Sequence, residues 1–123
     1  MTGYCANIEQ ATLANNYFRQ VAFTAPHSQL VLMALQPGEE IGAEVHADHD
    51  QFFRFEQGTG EVTIAGDTHS VQDGFAVVVP AGAEHNVKNT GSQVLKLYTI
   101  YSPAEHKAGT VHKTKAEALA AEH

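Results

Sequence analysis

A chain of 123 residues, 43% of them hydrophobic and 17% charged, is long enough to bury one compact core and too apolar for a disordered tail. Its net charge of −7, a pI near 5.5 and basic residues scattered singly apart from Lys113 and Lys115 argue against a nucleic-acid partner. No run approaches the roughly eighteen continuous apolar residues of a membrane span, and Met1 to Gln20 lacks the basic-then-apolar order of a signal peptide. The expectation is one domain over residues 1–123, cytoplasmic, with no membrane partner. The single Cys5 cannot form an internal disulfide, agrees weakly with a reducing compartment, and is assigned no function.

Taken in chain order, Ile8 to Ala14 reads as a short helical stretch. Strands are expected at Tyr17 to Thr24 and Gln29 to Leu35, flanking Ala25-Pro26-His27-Ser28, then at Ala43 to His46, Gln51 to Glu56, Gly60 to Ala65 and His69 to Val71. Gly66-Asp67 is a tight-turn signal between two of these. Further strands follow at Phe75 to Val79, His85 to Lys88 and Val94 to Tyr101. Alternation sends Gln51, Phe53 and Phe55 inward with Leu95, Leu97, Thr99 and Tyr101, leaving Phe52, Arg54, Glu56, Lys96 and Tyr98 outside. Phe52 beside Arg54 suits either a subunit interface or a face covered by the terminal segments. Segment 102–112 is too rich in Pro, Gly and polar groups for a strand. Thr114-Lys115-Ala116-Glu117 is a capping box opening a C-terminal helix. Many short strands with glycine-rich turns define an all-β class, a sandwich or small barrel with core about 17–101.

One frame carries chemistry. Gly74 is followed after five residues by Pro80, then Gly82, His85 and Asn89, so that an apolar run reaches a sharp turn and re-enters a strand bearing one imidazole. This spacing resembles the second signature motif of the cupin superfamily at every fixed position. The first motif of that superfamily can be laid between Gly38 and Gly58. Its frame places Glu44 at the usual first histidine, His46 at the second and Gln51 at the usual glutamate, so the spacing is kept while two residue types depart. The resemblance covers roughly Leu30 to Tyr101 and is to small single-domain cupins of the mannose-6-phosphate isomerase-like kind. It implies a cupin-type jelly-roll β-barrel, with the metal near one open end, and a homodimer.

As coordination chemistry the departures are conservative. Glu44 and His46, two apart on a strand, share a face. With His85, and with Gln51 adding an amide oxygen, they form a set suited to one divalent transition metal ion, Fe, Mn, Zn or Ni. The carboxylate has moved rather than vanished. A second register pairs His46 with His49, but on a regular strand these face opposite ways, and His49 is expected instead in a solvated turn, Ala47-Asp48-His49-Asp50. A substrate pocket of Phe53, Tyr101, His106 and His112 is expected next to the metal. If segment 102–112 folds over the mouth, His106 or His112 exchanges protons there; otherwise the loop is exposed and its histidines are incidental.

The fold hosts many reactions and selects none of them. Three functions stay open: a metal-dependent enzyme of isomerase or lyase type acting on a small polar molecule, an Fe(II)-dependent dioxygenase, and a non-catalytic barrel binding a small ligand or a structural metal.

Overall fold

A computed structural model describes residues 3–121. Helix α1 (Ile8–Ala14) is followed by strands β1 (Arg19–Thr24), β2 (Gln29–Leu35), β3 (Asp50–Gln57), β4 (Thr59–Ile64), β5 (Asp67–Gln72), β6 (Ala76–Val79), β7 (His85–Asn89), β8 (Leu95–Ser102) and β9 (Val111–His112), and the chain closes with helix α2 (Lys115–Ala121). Two antiparallel sheets face each other, one in the order β6-β3-β8-β2-β1-β9 and the other β5-β4-β7. This is the all-β jelly roll expected, closed by a short C-terminal helix.

The alternation rule places the core. Gln51, Phe53 and Phe55 of β3 and Leu95, Leu97, Thr99 and Tyr101 of β8 are all buried, interleaved with Val31, Met33 and Leu35 of β2 and facing Val62 and Val87 of the smaller sheet. Capping chemistry is as read from the sequence: Glu117 N–H donates to Thr114 Oγ1 at 3.2 Å, and Thr114 N–H donates back to the Glu117 carboxylate at 3.2 Å. The β4–β5 hairpin turns at Ala65-Gly66, with φ of 47° and 89°, one residue before the expected Gly66-Asp67. Two left-handed residues form the tight turn that suits strand twist, and this one keeps Ile64 paired with Asp67.

Three expectations need correction. Ala43 to His46 is not a strand; it contributes one isolated bridge, Glu44 to His85, because Gly42 at φ 109° and the turn at Ala47-Asp48 break it on both sides. Within segment 102–112, Val111 and His112 do form a strand, the edge strand β9, whose main chain pairs with Gln20 and Arg19 of β1. Glu56 and Lys96, expected outside, are each only 9% exposed. A register shift after Phe55 turns Glu56 onto Arg54, which it meets at 3.0 Å. Helix α1 packs over β8, β3 and β2, and Lys96 Nζ donates to the Leu13 carbonyl and to Asn16 Oδ1.

The terminal segment therefore covers one half of the outer face. Across the other half, register aligns Val78, Phe52, Ile100 and Leu30 in one apolar row, with Val78 exposed. Among the described residues, no helix is long and apolar enough to cross a membrane.

Candidate metal centre

The turn after β6 builds the site. Gly82 takes φ 88°, a conformation open to glycine, and its N–H donates to the His46 carbonyl at 2.9 Å. Glu44 and His85 exchange both backbone hydrogen bonds at 2.9 Å. Asp50 accepts from the Ala81 N–H at 2.9 Å. Each contact ties the segment carrying Glu44 and His46 to the turn that delivers His85. Two stretches about forty positions apart in sequence thus become one wall.

The four expected ligands form two close pairs. His46 Nε2 lies 3.4 Å from Glu44 Oε2, and His85 Nε2 lies 3.0 Å from Gln51 Oε1. The His46 and His85 rings are 5.3 Å apart between centroids. Donors about 2.1 Å from one ion are separated by about 3.0 to 3.4 Å at octahedral and tetrahedral angles, so each pair has the spacing of neighbouring ligands. His46, Gln51 and His85 are buried, and His46 Nε2 makes no hydrogen bond. Gln51 is held from behind by Thr99, whose Oγ1 accepts from its amide at 2.9 Å.

His46 also has a second face. Its Nδ1 lies 3.5 Å from Glu105 Oε2, and His49 Nε2 lies 3.4 Å from the same oxygen. Ligand atoms of His46, His49 and Glu105 fall within 4.8 Å of one another, close enough to hold a metal. His49 therefore does not sit in a solvated turn: its ring is drawn inward onto Glu105 and lies 3.0 Å from the Ala104 carbonyl. Glu105 was not legible as a site residue. What brings it in is Gln29, a buried amide on β2 whose Oε1 accepts from the Glu105 and His106 N–H groups at 3.2 and 2.9 Å, while its Nε2 donates to the His106 carbonyl at 2.7 Å. One side chain thus pins the loop after β8 over the barrel mouth. A buried glutamine at the start of a strand, with a polar loop left to place, was the available signal.

Among the expected pocket residues, Phe53 and Tyr101 stand behind the imidazoles. Phe53 is fully buried 6.2 Å from the His85 ring, and Tyr101 packs edge-on at 5.8 Å from His46 and 5.3 Å from His106. Burial, with Glu44 nearby, pushes the Tyr101 phenol well above its usual range, so the hydroxyl stays protonated. His106 and His112 line an open cavity of about 400 Å³ with Arg19, Glu44, Glu105 and Lys107.

Burial lowers the pKa of His46, opposed by the Glu105 carboxylate. It lowers His106 further, to about 4, with the charges of Arg19, His112 and His46 acting in the same direction. Between pH 6.5 and 4 the unfolded chain takes up a proton that the folded His106 ring refuses. Its contribution to stability is complete above pH 6.5 and is lost as pH falls towards 4. Solvent reaches part of this ring, so the contribution is discounted to about 1 kcal/mol, or about 4 °C in Tm. Metal-free wild type is expected to lose that much more Tm than His106→Gln between pH 7 and pH 4, read by thermal melts. Parallel melting curves would remove His106 as the cause.

Comparison with known proteins agrees with the fold. The model of the cupin domain family (Cupin_2) matches residues 31–101. The uncharacterized protein YrkC of Bacillus subtilis (strain 168) is 50% identical over 125 residues, covering 97% of this chain and 67% of YrkC. Protein L612 of Acanthamoeba polyphaga mimivirus is 46% identical over 113 residues, covering 88% of this chain and 70% of L612. The crystal structure of BH2720 from Bacillus halodurans superposes with a TM-score of 0.94 at 46% identity, covering 95% of this chain and 93% of that one. With the glycine, proline and histidine frame folded as its spacing requires and the family model matching through both motifs, the chain belongs to the cupin superfamily as a small cupin.

Proposed function

We propose that the barrel holds one divalent transition metal ion on Glu44, His46, Gln51 and His85 and acts as a metal-dependent enzyme, of isomerase or lyase type, on a small polar molecule entering at the cavity beside Glu44. The observation that carries this reading is the environment of His85. Its Nδ1 is 3.1 Å from the Ala83 carbonyl, and its Nε2 is 3.0 Å from Gln51 Oε1. A neutral imidazole has one N–H and cannot donate to both. With that N–H given to Ala83, Nε2 and the glutamine oxygen meet as two lone-pair donors, an arrangement that a shared cation resolves. The His46 Nε2 without a hydrogen bond, facing Glu44, completes the set. Two imidazoles, a carboxylate and an amide favour a first-row transition ion over calcium or magnesium.

When bound, the ion supplies Lewis-acid polarisation of a ligand oxygen. The chain's own residues do the rest. Glu105 Oε2, 3.5 Å from His46 Nδ1, favours the tautomer with its proton on Nδ1, which leaves Nε2 for the metal, the role carboxylates commonly take behind a ligating histidine. Neutral His106 at the cavity wall is placed to take a proton from the bound molecule. A second reading puts the ion on His46, His49 and Glu105, whose donor atoms are the mutually close set. Fe(II)-dependent oxidation is the competing chemistry for the two-histidine, one-carboxylate set, and a closed structural metal the non-catalytic one.

Elemental analysis of protein purified without added metal decides the first point. Near-stoichiometric iron, manganese, zinc or nickel is expected in wild type and absent from the Glu44→Ala, His46→Ala double variant. No metal in either, even after reconstitution with each ion, would leave a metal-free barrel and sink both enzyme readings. Oxygen uptake by the iron-loaded form would select oxidation. The apolar row Val78, Phe52, Ile100 and Leu30 fits a second copy of this chain, and sedimentation of the same preparation as a monomer would remove the homodimer.

A further inference from the structure

Arg19 opens β1 and is 5% exposed, yet among the described residues no carboxylate lies within ion-pair distance of its guanidinium. Its partners are His112 Nδ1 at 3.1 Å and the Phe18 ring at 5.4 Å, and its Nε makes no hydrogen bond. Arginine has no acceptor, so Arg19 donates to His112 Nδ1, and the His112 ring carries its proton on Nε2. Among the described residues this guanidinium, taken out of water, has only neutral partners within ion-pair distance, an arrangement costly to the fold. The strand register explains how it is held: Arg19 pairs with His112 of β9, so the C-terminal edge strand closes over it. Arg19 also lines the cavity of about 400 Å³ that reaches Glu44, His106 and Lys107.

We infer that Arg19 is the anchor of a carboxylate-binding subsite, and that the molecule bound in this barrel is a small organic acid held by its carboxylate on the guanidinium while its other end reaches Glu44. The part played by Glu44 rests on the proposed metal site; the anion subsite does not. A planar guanidinium fork matches the two oxygens of a carboxylate and is worth more than a neutral hydrogen bond. A singly charged acid fits better than a phosphate dianion, because Glu44 and Glu105 line the same cavity and repel a second negative charge. Cavity size agrees with a ligand of this class, since small-molecule sites start at about 300 Å³.

The test is calorimetric titration of metal-free protein, stripped with a chelator, with three probes: pyruvate, its neutral isostere pyruvamide, and inorganic phosphate. Pyruvate is expected to bind at least about tenfold more tightly than pyruvamide, and Arg19→Met to lose about ten- to a hundredfold in pyruvate affinity with little change for pyruvamide. Arg19→Lys keeps the charge and loses the fork, and is expected to fall between the two. Equal binding of pyruvate and pyruvamide by wild type overturns the subsite, as does absence of pyruvate binding at 10 mM, roughly the weakest affinity a single charged contact leaves. Phosphate binding more tightly than pyruvate overturns the choice of acid. The wild-type comparison needs no variant, so the inference remains testable if Arg19→Met fails to fold. Metal content of Arg19→Lys is measured alongside. Loss of pyruvate binding with metal retained isolates the subsite, whereas pyruvate binding by a protein that takes up no metal would sink the metal reading and leave this one standing.

Discussion

His85→Ala is expected to retain less than about a tenth of the wild-type metal, whereas His49→Ala retains most of it. The two imidazoles differ in how the fold commits them. His85 is 4% exposed, its Nδ1 is occupied by the Ala83 carbonyl, and its Nε2 meets Gln51 Oε1 at 3.0 Å. It therefore arrives at the ligand position already oriented, and alanine removes both the donor and the ring that fills the space beside Phe53. His49 reaches the centre only through Glu105, and its Nε2 is shared with the Ala104 carbonyl. Loss of an outer partner of this kind costs about 10- to 100-fold in affinity. Loss of one of four ligands in a buried site costs more, because the remaining donors leave the ion incompletely coordinated. Titration at limiting metal separates these cases. Equal loss from both variants would overturn the assignment of Glu44, His46, Gln51 and His85, and loss from His49→Ala alone would place the ion on His46, His49 and Glu105.

The largest effect on stability is expected at Asn89, which holds a motif position without facing the metal. Its side chain is 1% exposed and fully used. Nδ2 donates to the Leu35 carbonyl at 2.9 Å and to the Gln93 carbonyl at 2.8 Å, while Oδ1 accepts from the Gly91 N–H at 2.9 Å. These bonds tie the end of β7 to the end of β2 and close the turn leading into β8. Asn89→Leu keeps the branching and number of side-chain heavy atoms and removes the hydrogen bonds made to two carbonyls and one N–H. At about 1–3 kcal/mol for the buried bond to Leu35 and about 1 kcal/mol for each of the two part-buried bonds, the loss is about 3–5 kcal/mol, a large part of the total for a domain of this size. Urea denaturation gives the value directly. A change below about 1 kcal/mol would show that water reaches these groups. Metal stoichiometry at low temperature is expected to stay unchanged, which distinguishes the asparagine's role from that of His85.

The sequence by itself determined the elements whose causes are local. Alternation placed Phe53, Phe55, Leu97 and Tyr101 inside because a strand has a period of two, and the capping box at Thr114 and Glu117 fixed the start of α2 because both bonds close within four residues. The turn carrying Gly82 and His85 was equally legible, since glycine and proline restrict the backbone whatever surrounds them. Only the tertiary structure decided what depends on distant partners. Ala43 to His46 has strand composition, yet its pairing is limited to the single bridge at Glu44, because Gly42 and the turn at Ala47-Asp48 break it on both sides. Lys96 is buried because α1, more than eighty positions earlier, packs over it and offers the Leu13 carbonyl and Asn16 as acceptors. His49 and Glu105 lie 55 or more positions apart and meet because Gln29, on a third element, holds the loop after β8 in place. Arg19 likewise reads as an ordinary surface cation until β9 folds back along β1 and removes it from water. Local spacing specifies which way a side chain points along its own strand, but the neighbours it meets are set by loop closure and sheet pairing, and no window of the sequence contains these.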